Sequence, residues 1–153
     1  MTSGTEQPAR AQAADVEAVL RQTVEREGVH VVHVWAPWCP NAVAELAPVW
    51  AGAPGRHPDV SFTFVSVWAE GDDGSAVLDG HGVPESVARL AAPGPKPEKA
   101  ERRTALLGLP VTWIPTTWVF NRGGLLATAF NYGEVTAARL ADAVEGAARD
   151  WSR

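Results

Sequence analysis

The residue in this chain best suited to nucleophilic chemistry is its only cysteine, Cys39. It stands between Trp38 and Pro40, and proline is favoured at the first position of an α-helix. The spacing therefore predicts that Cys39 precedes a helix that opens at residue 40. The positive end of a helix dipole favours a thiolate, the form of cysteine that attacks disulfides. A reactive single thiol is the first chemical hypothesis, beside the alternative that Cys39 is merely a small buried residue.

The four histidines give weaker patterns. His30 and His33 fall on a predicted strand with opposite parity, so they point to opposite faces and cannot form a metal pair. His57 and His81 fall in predicted loops. Together with Cys39, these histidines show no metal-ligand spacing that we recognise. The sequence predicts no metal and no other cofactor.

A strand and a helix must position the cysteine. Residues 29–35, VHVVHVW, form a nearly continuous apolar run, which is typical of a central parallel strand covered on both faces. Apolar residues then recur at i, i+3, i+4 and i+7 and predict a helix with one apolar face: Val43, Leu46, Ala47 and Trp50. The sequence thus predicts a strand–turn–helix unit with Cys39 in the turn.

The rest of the chain predicts an α/β fold with a central mixed sheet of four to five strands and helices on both faces. The strand at 60–68 follows the Cys39 helix, and a helical crossover makes two such strands parallel. A first helix is predicted at 14–27, and two strands at 116–120 and 125–130 flank a turn at 121–124. The final helix is predicted at 135–151. Its apolar stripe, which would pack on the sheet, consists of Leu140, Val144, Ala147, Ala148 and Trp151.

An insertion at about 70–110 interrupts this order. Helices are predicted at 85–92 and 98–107, with a proline-rich separator between them. Glu98 and Glu101 dilute the basic residues of the second helix, which are Lys96, Lys99, Arg102 and Arg103. We favour a solvated helix face here over a patch that binds a partner.

Length and composition limit the function classes. The chain has 153 residues, 46% of them apolar, which suits one domain at 13–153 after a flexible N-terminus at 1–12. The net charge of −5 argues against a nucleic-acid partner. No apolar run reaches the roughly 18 residues of a membrane span, and no export signal is visible. The expected location is cytoplasmic, which the single cysteine also fits.

The stretch WAPWCPNA, residues 35–42, resembles the active-site turn of the thioredoxin superfamily, whose pattern is W-C-x-x-C. Ala42 stands where that family has its second cysteine. Pro115 falls where the family has a cis-proline that faces the active-site cysteine. The order of helix, strand, W-C turn, helix, strand, proline-led hairpin and final helix is similar over most of the chain. The resemblance implies a thioredoxin-like fold with a degenerate W-C-x-x-A site.

The insertion before Pro115 resembles that of the bacterial TlpA and ResA-like branch. Glu45 follows Ala42 by three residues, as the active-site glutamate of that branch follows its second cysteine. His33 stands two residues before Trp35, where thioredoxins have a buried aspartate that assists proton transfer. His33 is either a proton acceptor or a core histidine with a satisfied hydrogen bond, and we favour the second.

By this resemblance the chain is a monothiol disulfide oxidoreductase whose mixed disulfide is resolved by an external thiol. The implied roles are Cys39 as the catalytic residue, Trp38, Ile114 and Pro115 as substrate-binding residues, and His33 and Glu45 as candidates for proton transfer. The expected partner is a protein or small-molecule thiol or disulfide. The alternative function is a non-catalytic thioredoxin-fold module that binds a protein through Trp38 and the surface at 113–118.

Overall fold

A computed structural model describes residues 8–102 and 104–153, with side chains from residue 16 onward. The strands are β1 (Val29–Trp35), β2 (Val60–Ser66), β3 (Ala88–Ala91), β4 (Thr104–Leu106), β5 (Leu109–Val111), β6 (Thr116–Phe120) and β7 (Leu126–Phe130). The helices are α1 (Pro8–Glu25), α2 (Pro40–Glu45), α3 (Ala53–Arg56), α4 (Ser75–Gly80) and α5 (Ala137–Ala148).

Five strands form one mixed sheet in the order β3-β2-β1-β6-β7, and β4 and β5 form a separate hairpin. Strand β1 is central, parallel to β2 and antiparallel to β6. All seven of its residues are buried because helices cover both faces of the sheet. The predicted fold class, a mixed α/β sheet with helices on both faces, is confirmed.

Helix α1 packs on the face of the sheet opposite the cysteine and contributes Val16, Leu20 and Val24 to the core there. It begins at Pro8, earlier than the predicted residue 14. The predicted flexible segment at 1–12 falls partly on residues 1–7, which lie outside the described residues. None of the described helices is both long enough and apolar enough to cross a membrane.

The helix that follows Cys39 widens at its end. Residues Leu46–Trp50 form a π-type turn, closed by a 2.8 Å hydrogen bond from the Ala51 N–H to the carbonyl five residues earlier. Pro48 has no N–H to continue the regular ladder, so the chain takes the wider turn. Val49 is consequently buried and Ala47 is exposed. The prediction that Ala47 lies on the apolar face is therefore wrong.

The predicted helix at 85–92 is also wrong, because its second half forms β3. This short strand pairs in parallel with β2, from Thr63 opposite Ala88 to Ser66 opposite Ala91. It covers backbone groups that β2 would otherwise leave unpaired at the sheet edge. Pairing with the sheet outweighs the helix propensity of residues such as Ala, Arg and Leu.

The predicted helix at 98–107 is replaced by a single 3₁₀ turn at Lys99–Glu101 and the β4–β5 hairpin. Leu107 and Gly108 form its two-residue loop, with φ values of 56° and 74°, as a type I′ turn requires. The Leu107 N–H donates to the Glu17 carboxylate at 3.1 Å. This bond ties the hairpin to α1, so the insertion is held against the domain.

Helix α5 closes the fold on the same face of the sheet as Cys39. Thr136 caps its N-terminus by accepting a hydrogen bond from the Arg139 N–H at 3.1 Å. Its buried residues are Leu140, Val144 and Ala147. The helix ends at Ala148, and Trp151 is 58% exposed. The prediction that Trp151 belongs to the docked stripe is wrong because the chain has left the helix before reaching it.

Candidate functional site

Cys39 is the N-cap residue of α2, with extended backbone angles of φ −86° and ψ 113°. Pro40 occupies the first helical position and has no N–H. The N–H groups of Asn41 and Ala42 belong to the first turn, where helices leave donors without intrahelical acceptors. The sulfur thus lies at the end of the helix that favours negative charge. The residue is only 7% exposed, so a partner must reach it through a defined opening.

The backbone of Ile114 faces the thiol. The Cys39 Sγ lies 4.0 Å from the Ile114 carbonyl oxygen, and the Ile114–Pro115 peptide bond is cis. The two segments meet because Val34 of β1 pairs with Thr116 of β6. Pro115 itself is buried. Of the two residues predicted to bind substrate here, Ile114 lines the space next to the sulfur and Pro115 lies behind it.

A groove of about 770 Å³ opens beside the sulfur. Trp38 and Ile114 line it, as do Trp113 and Tyr132. Trp113 is 69% exposed and Tyr132 is 54% exposed. Large aromatic side chains with this exposure are typical of binding surfaces, so the cysteine lies in a groove suited to an incoming partner.

A backbone carbonyl and two side chains of the insertion hold Trp38 in place. The Trp38 Nε1–H donates to the Trp68 carbonyl at 2.8 Å. The Lys96 Nζ lies 4.2 Å from the centre of the Trp38 ring, and the Arg102 Cζ lies 4.6 Å from it. Both distances fall within the range of cation–π attraction. The tryptophan next to the cysteine is thus fixed by a hydrogen bond and covered by two cations.

Ala42 is fully buried on the first turn of α2. In a W-C-x-x-C turn this position would hold a second thiol, and here it holds a methyl group. Since Cys39 is the only cysteine in the chain, no internal thiol can attack a mixed disulfide at its sulfur.

His33 lies beneath the turn and is fully buried. Its Nδ1 is 2.8 Å from the Thr117 Oγ1, and the rings of Trp50 and Phe64 pack against it with centroids at 4.4 and 4.7 Å. Burial lowers the pKa of His33 to about 3, so the imidazole is neutral at physiological pH. Its Nε2 has no hydrogen-bond partner among the described residues. The favoured prediction of a satisfied core histidine therefore holds for one ring nitrogen only.

The carboxylate of Glu45 lies near that nitrogen. Its Oε1 lies 4.0 Å from the His33 Nε2 and accepts a 3.4 Å hydrogen bond from the Trp50 Nε1–H. Burial raises the pKa of Glu45. Because His33 is neutral, this contact is not an ion pair at neutral pH. Neither residue lines the groove beside Cys39; Glu45 instead lines a neighbouring cavity of about 340 Å³.

His30 lies on the opposite face of β1, as its parity predicted. Its Nδ1 contacts the Ser61 hydroxyl, and its Nε2 is 2.9 Å from the Arg26 carbonyl oxygen. Burial lowers the pKa of His30. Its hydrogen bonds give it a structural role in joining α1 to the sheet.

Sequence reasoning missed the cations of the groove. Lys99 and Arg102 line the same groove as Cys39, although the sequence favoured a solvated helix face for them. The signal that could have found them is the Leu107-Gly108 pair between apolar residues, which marks a short hairpin rather than a helix. With that hairpin recognised, residues 96–102 become a loop before it, free to fold over the active-site turn.

No protein-family model matches the chain, and no curated protein matches it. Solved structures do match. A secreted disulfide oxidoreductase of Mycobacterium tuberculosis, homologous to E. coli DsbE, is 19% identical over 81% of this chain and 85% of its own, with a TM-score of 0.58. A secreted thiol-disulfide isomerase of Corynebacterium glutamicum is 21% identical over 80% of this chain and 72% of its own, with a TM-score of 0.56.

A third similar structure is a thiol:disulfide interchange protein of the thioredoxin family from Chlorobium tepidum. It is 16% identical over 82% of this chain and 83% of its own, with a TM-score of 0.55. All three resemble the chain over most of their length, so the insertion does not disrupt the common architecture.

These structures correct one prediction. The expected cytoplasmic location is wrong, since similar structures are of proteins described as secreted. The prediction depended partly on the single cysteine, and a chain with one cysteine forms no intrachain disulfide in any compartment. On the fold, the comparisons confirm what the sequence predicted. The chain has the thioredoxin fold, with a single cysteine in the turn between β1 and α2.

Proposed function

We propose that the protein exchanges thiols and disulfides through Cys39 alone and depends on an external thiol to complete the reaction. The observation that carries the proposal is the placement of the Cys39 sulfur at the start of α2, 4.0 Å from the Ile114 carbonyl, in an open groove. The similar structures, which include disulfide oxidoreductases and a thiol-disulfide isomerase, support the same chemistry.

The reaction has two steps. In the first, the Cys39 thiolate attacks a disulfide R–S–S–R′; a bond forms between Cys39 and one sulfur, the S–S bond breaks, and R′–S⁻ leaves. In the second, the thiolate of an external thiol attacks the sulfur of R in this mixed disulfide and releases the Cys39 thiolate. Oxidation and reduction balance over the two steps. The external thiol is needed because Ala42 supplies no second sulfur.

Backbone groups next to Cys39 orient the substrate in this proposal. The Ile114 carbonyl is a hydrogen-bond acceptor beside the sulfur. Trp113 is exposed and Ile114 is half-buried. An extended substrate segment that places its sulfur on Cys39 would lie along these two residues. Trp38, fixed by its bond to the Trp68 carbonyl, excludes water from one side of the sulfur. We assign no step to His33 or Glu45, which lie outside the groove.

We also propose that this exchange occurs outside the cytoplasm. The secreted disulfide oxidoreductase and the secreted isomerase among the similar structures support this location. Disulfide substrates persist in such oxidising compartments.

A turnover assay tests the proposal. The native protein should accelerate the reaction of 2-hydroxyethyl disulfide with excess low-molecular-weight thiol, and Cys39→Ser should abolish the acceleration. Ala44→Ser, an exposed position on the outer side of α2, is a matched control that should keep the native rate. Equal rates for the native protein and Cys39→Ser would refute thiol exchange.

The alternative function, a non-catalytic module that binds a protein partner, is favoured by one observation. Cys39 exposes only 7% of its surface, whereas the neighbouring Trp113 exposes 69%. A module of this kind would use the aromatic surface and leave the thiol idle. The two functions separate on the thiol itself, because only the redox function requires Cys39 to form a mixed disulfide in the native protein.

A further inference from the structure

We propose that Lys99 and Arg102 make the groove selective for small disulfides that carry carboxylate groups. This inference deepens the proposed thiol exchange and rests on it. It concerns which substrates reach Cys39. Three properties of the groove support it: the position of the cations, their charge and the volume of the space.

The cations are held in the same groove as the sulfur. Lys99, Arg102, Trp38 and Cys39 all line it. The Arg102 Nε–H donates to the Pro97 carbonyl at 3.2 Å, and the guanidinium carbon lies 4.6 Å from the centre of the Trp38 ring. Two contacts therefore fix a guanidinium beside the residue that precedes Cys39. Its remaining N–H donors are available to an acceptor in the groove.

The positive charge here is concentrated and uncompensated. The Lys96 Nζ lies 4.2 Å from the centre of the Trp38 ring, which Arg102 also contacts. The charges of Lys96 and Arg102 therefore lie within one Debye length of each other, roughly 10 Å at 0.1 M salt. Among the described residues, Lys96, Lys99 and Arg102 form no ion pair with a carboxylate. The neighbouring acids, Glu98 and Glu101, are exposed and do not line the groove. An anionic ligand would relieve the repulsion between these cations.

The groove fits a small molecule. Its volume of about 770 Å³ lies within the range of roughly 300 to 1,000 Å³ that is usual for small-molecule sites. A disulfide with a carboxylate a few bonds from each sulfur can place one sulfur on Cys39 and a carboxylate on Arg102. Arginine recognises carboxylates with two parallel hydrogen bonds. The chemistry at the sulfur is the exchange already described: Cys39 gains the substrate sulfur, and the other half leaves as a thiolate.

Three matched disulfides test the selectivity: 3,3′-dithiodipropionate, which carries two negative charges, 2-hydroxyethyl disulfide, which is neutral, and cystamine, which carries two positive charges. The rate of mixed-disulfide formation at Cys39 is followed by intact mass. The same chain unfolded in urea gives the intrinsic rate for each reagent. In the native protein the anionic reagent should gain about threefold to tenfold over the neutral one, cystamine should lose, and added salt should shrink the difference.

Variants assign the effect to the groove. Arg102→Gln and Lys99→Gln should each lower the ratio of the anionic to the neutral rate. Arg102→Lys should lower it less than Arg102→Gln, because it keeps the positive charge but loses the two parallel hydrogen bonds. Arg149→Gln is the matched control, since it removes an exposed guanidinium at the end of α5, outside the groove.

Each result decides between hypotheses. A native ratio equal to that of the unfolded chain, or equal effects of Arg102→Gln and Arg149→Gln, would overturn the selectivity and leave thiol exchange intact. A Cys39 that reacts with none of the three reagents in the native state would overturn both.

Discussion

A methyl group at position 42 determines what the thiol three residues earlier can do. Ala42 is fully buried on the first turn of α2, so it occupies the place of a resolving sulfur without supplying one. A mixed disulfide at Cys39 can then be resolved only by the thiol of another molecule. At the scale of single residues, the proposed exchange therefore has no internal thiol for its second step.

The introduction of a second cysteine at position 42 gives the first prediction. Ala42→Cys should form an intrachain disulfide with Cys39 under oxidising conditions, because the two positions share one helical turn. The measurement is the loss of two titratable thiols with a mass decrease of two hydrogens. Ala44→Cys, which adds an exposed thiol elsewhere on the same helix, should keep both thiols in the monomer. Failure of Ala42→Cys to oxidise would place this turn outside the geometry of the W-C-x-x-C pattern.

The second prediction concerns His33. Its pKa falls from about 6.5 in an unfolded chain to about 3 in the native state because it is buried. Below pH 6.5 the unfolded chain binds a proton that the native protein does not. The free energy of unfolding should therefore fall as the pH falls from 6.5 toward 3, by up to about 1.4 kcal/mol per pH unit.

Glu45 acts in the opposite direction, because a raised pKa means that the native state binds the extra proton just above pH 4.5. The contribution of His33 is therefore measured as the difference between the native protein and a His33 variant. His33→Asn should lower the slope of unfolding free energy against pH by about one proton between pH 6.5 and 5, measured by urea titration. An unchanged slope would mean that His33 binds a proton as readily in the native protein as in the unfolded chain.

The sequence could predict those site residues whose role follows from local pattern. Cys39 precedes a proline in a strand–turn–helix unit, so its place at the start of a helix follows from its nearest neighbours. The place of Pro115 follows only from the resemblance to the thioredoxin superfamily. Lys99 and Arg102 could not be found in this way. Their place beside Cys39 depends on the path of the loop between β3 and β4, and that path is set by tertiary contacts such as the one between Glu17 and Leu107.

At the scale of elements, the start of the insertion supports the strand that leads to the cysteine. Gly74 has φ +74°, and a Cβ there would overlap the ring of Trp35 at the end of β1. Trp35 is fully buried. The segment after β2 thus packs its backbone directly on the strand end that carries the active-site turn.

Replacement of this glycine gives the third prediction. Gly74→Ala should destabilise the protein by about 3 kcal/mol, from an unfavourable backbone conformation and overpacking against Trp35. Gly71→Ala separates the two causes, because Gly71 has φ +85° with no atom within 4 Å of its Cβ position. It should cost about 1 kcal/mol. Equal losses in urea unfolding would show that Gly74 does not contact Trp35 as described.

The predictability of the elements follows from their contacts. The apolar run of β1 and the β-branched and aromatic strand β6 were predicted closely, because residues of these types favour strands buried in a sheet. The sequence could not predict β3, which is short and is a strand only because β2 offers an edge. Nor could it predict the π-type turn, because periodicity assumes a regular helix and Pro48 breaks the ladder.

At the scale of the whole molecule, the sheet and its two layers bring together segments that are distant in sequence. The pairing of β1 with β6 places Ile114 beside Cys39, and the loop before the hairpin adds cations to the same groove. The thioredoxin fold therefore surrounds a single thiol in this chain.

This architecture gives the fourth prediction. With dithiothreitol as the electron donor, the native protein should reduce insulin disulfides far more slowly than a protein with a W-C-x-x-C pair, because dithiothreitol must resolve each insulin–Cys39 mixed disulfide from solution. Ala42→Cys should raise that rate, although modestly, since the buried neutral His33 is not the acid that a thioredoxin pair uses. Turnover by the native protein at the rate of a dithiol enzyme would contradict the assignment of a single working sulfur.

The most direct test of the central claim, that Cys39 is a working thiol, compares its reactivity in the folded and unfolded chain. The measurement is the rate of mixed-disulfide formation with 2-hydroxyethyl disulfide, followed by intact mass at pH 7, in buffer and in urea. We expect a faster reaction in the native protein, because the groove holds a small disulfide beside the Cys39 sulfur. A native rate equal to or slower than the unfolded rate would mean that the fold gives Cys39 no added reactivity, and it would contradict thiol exchange at this residue.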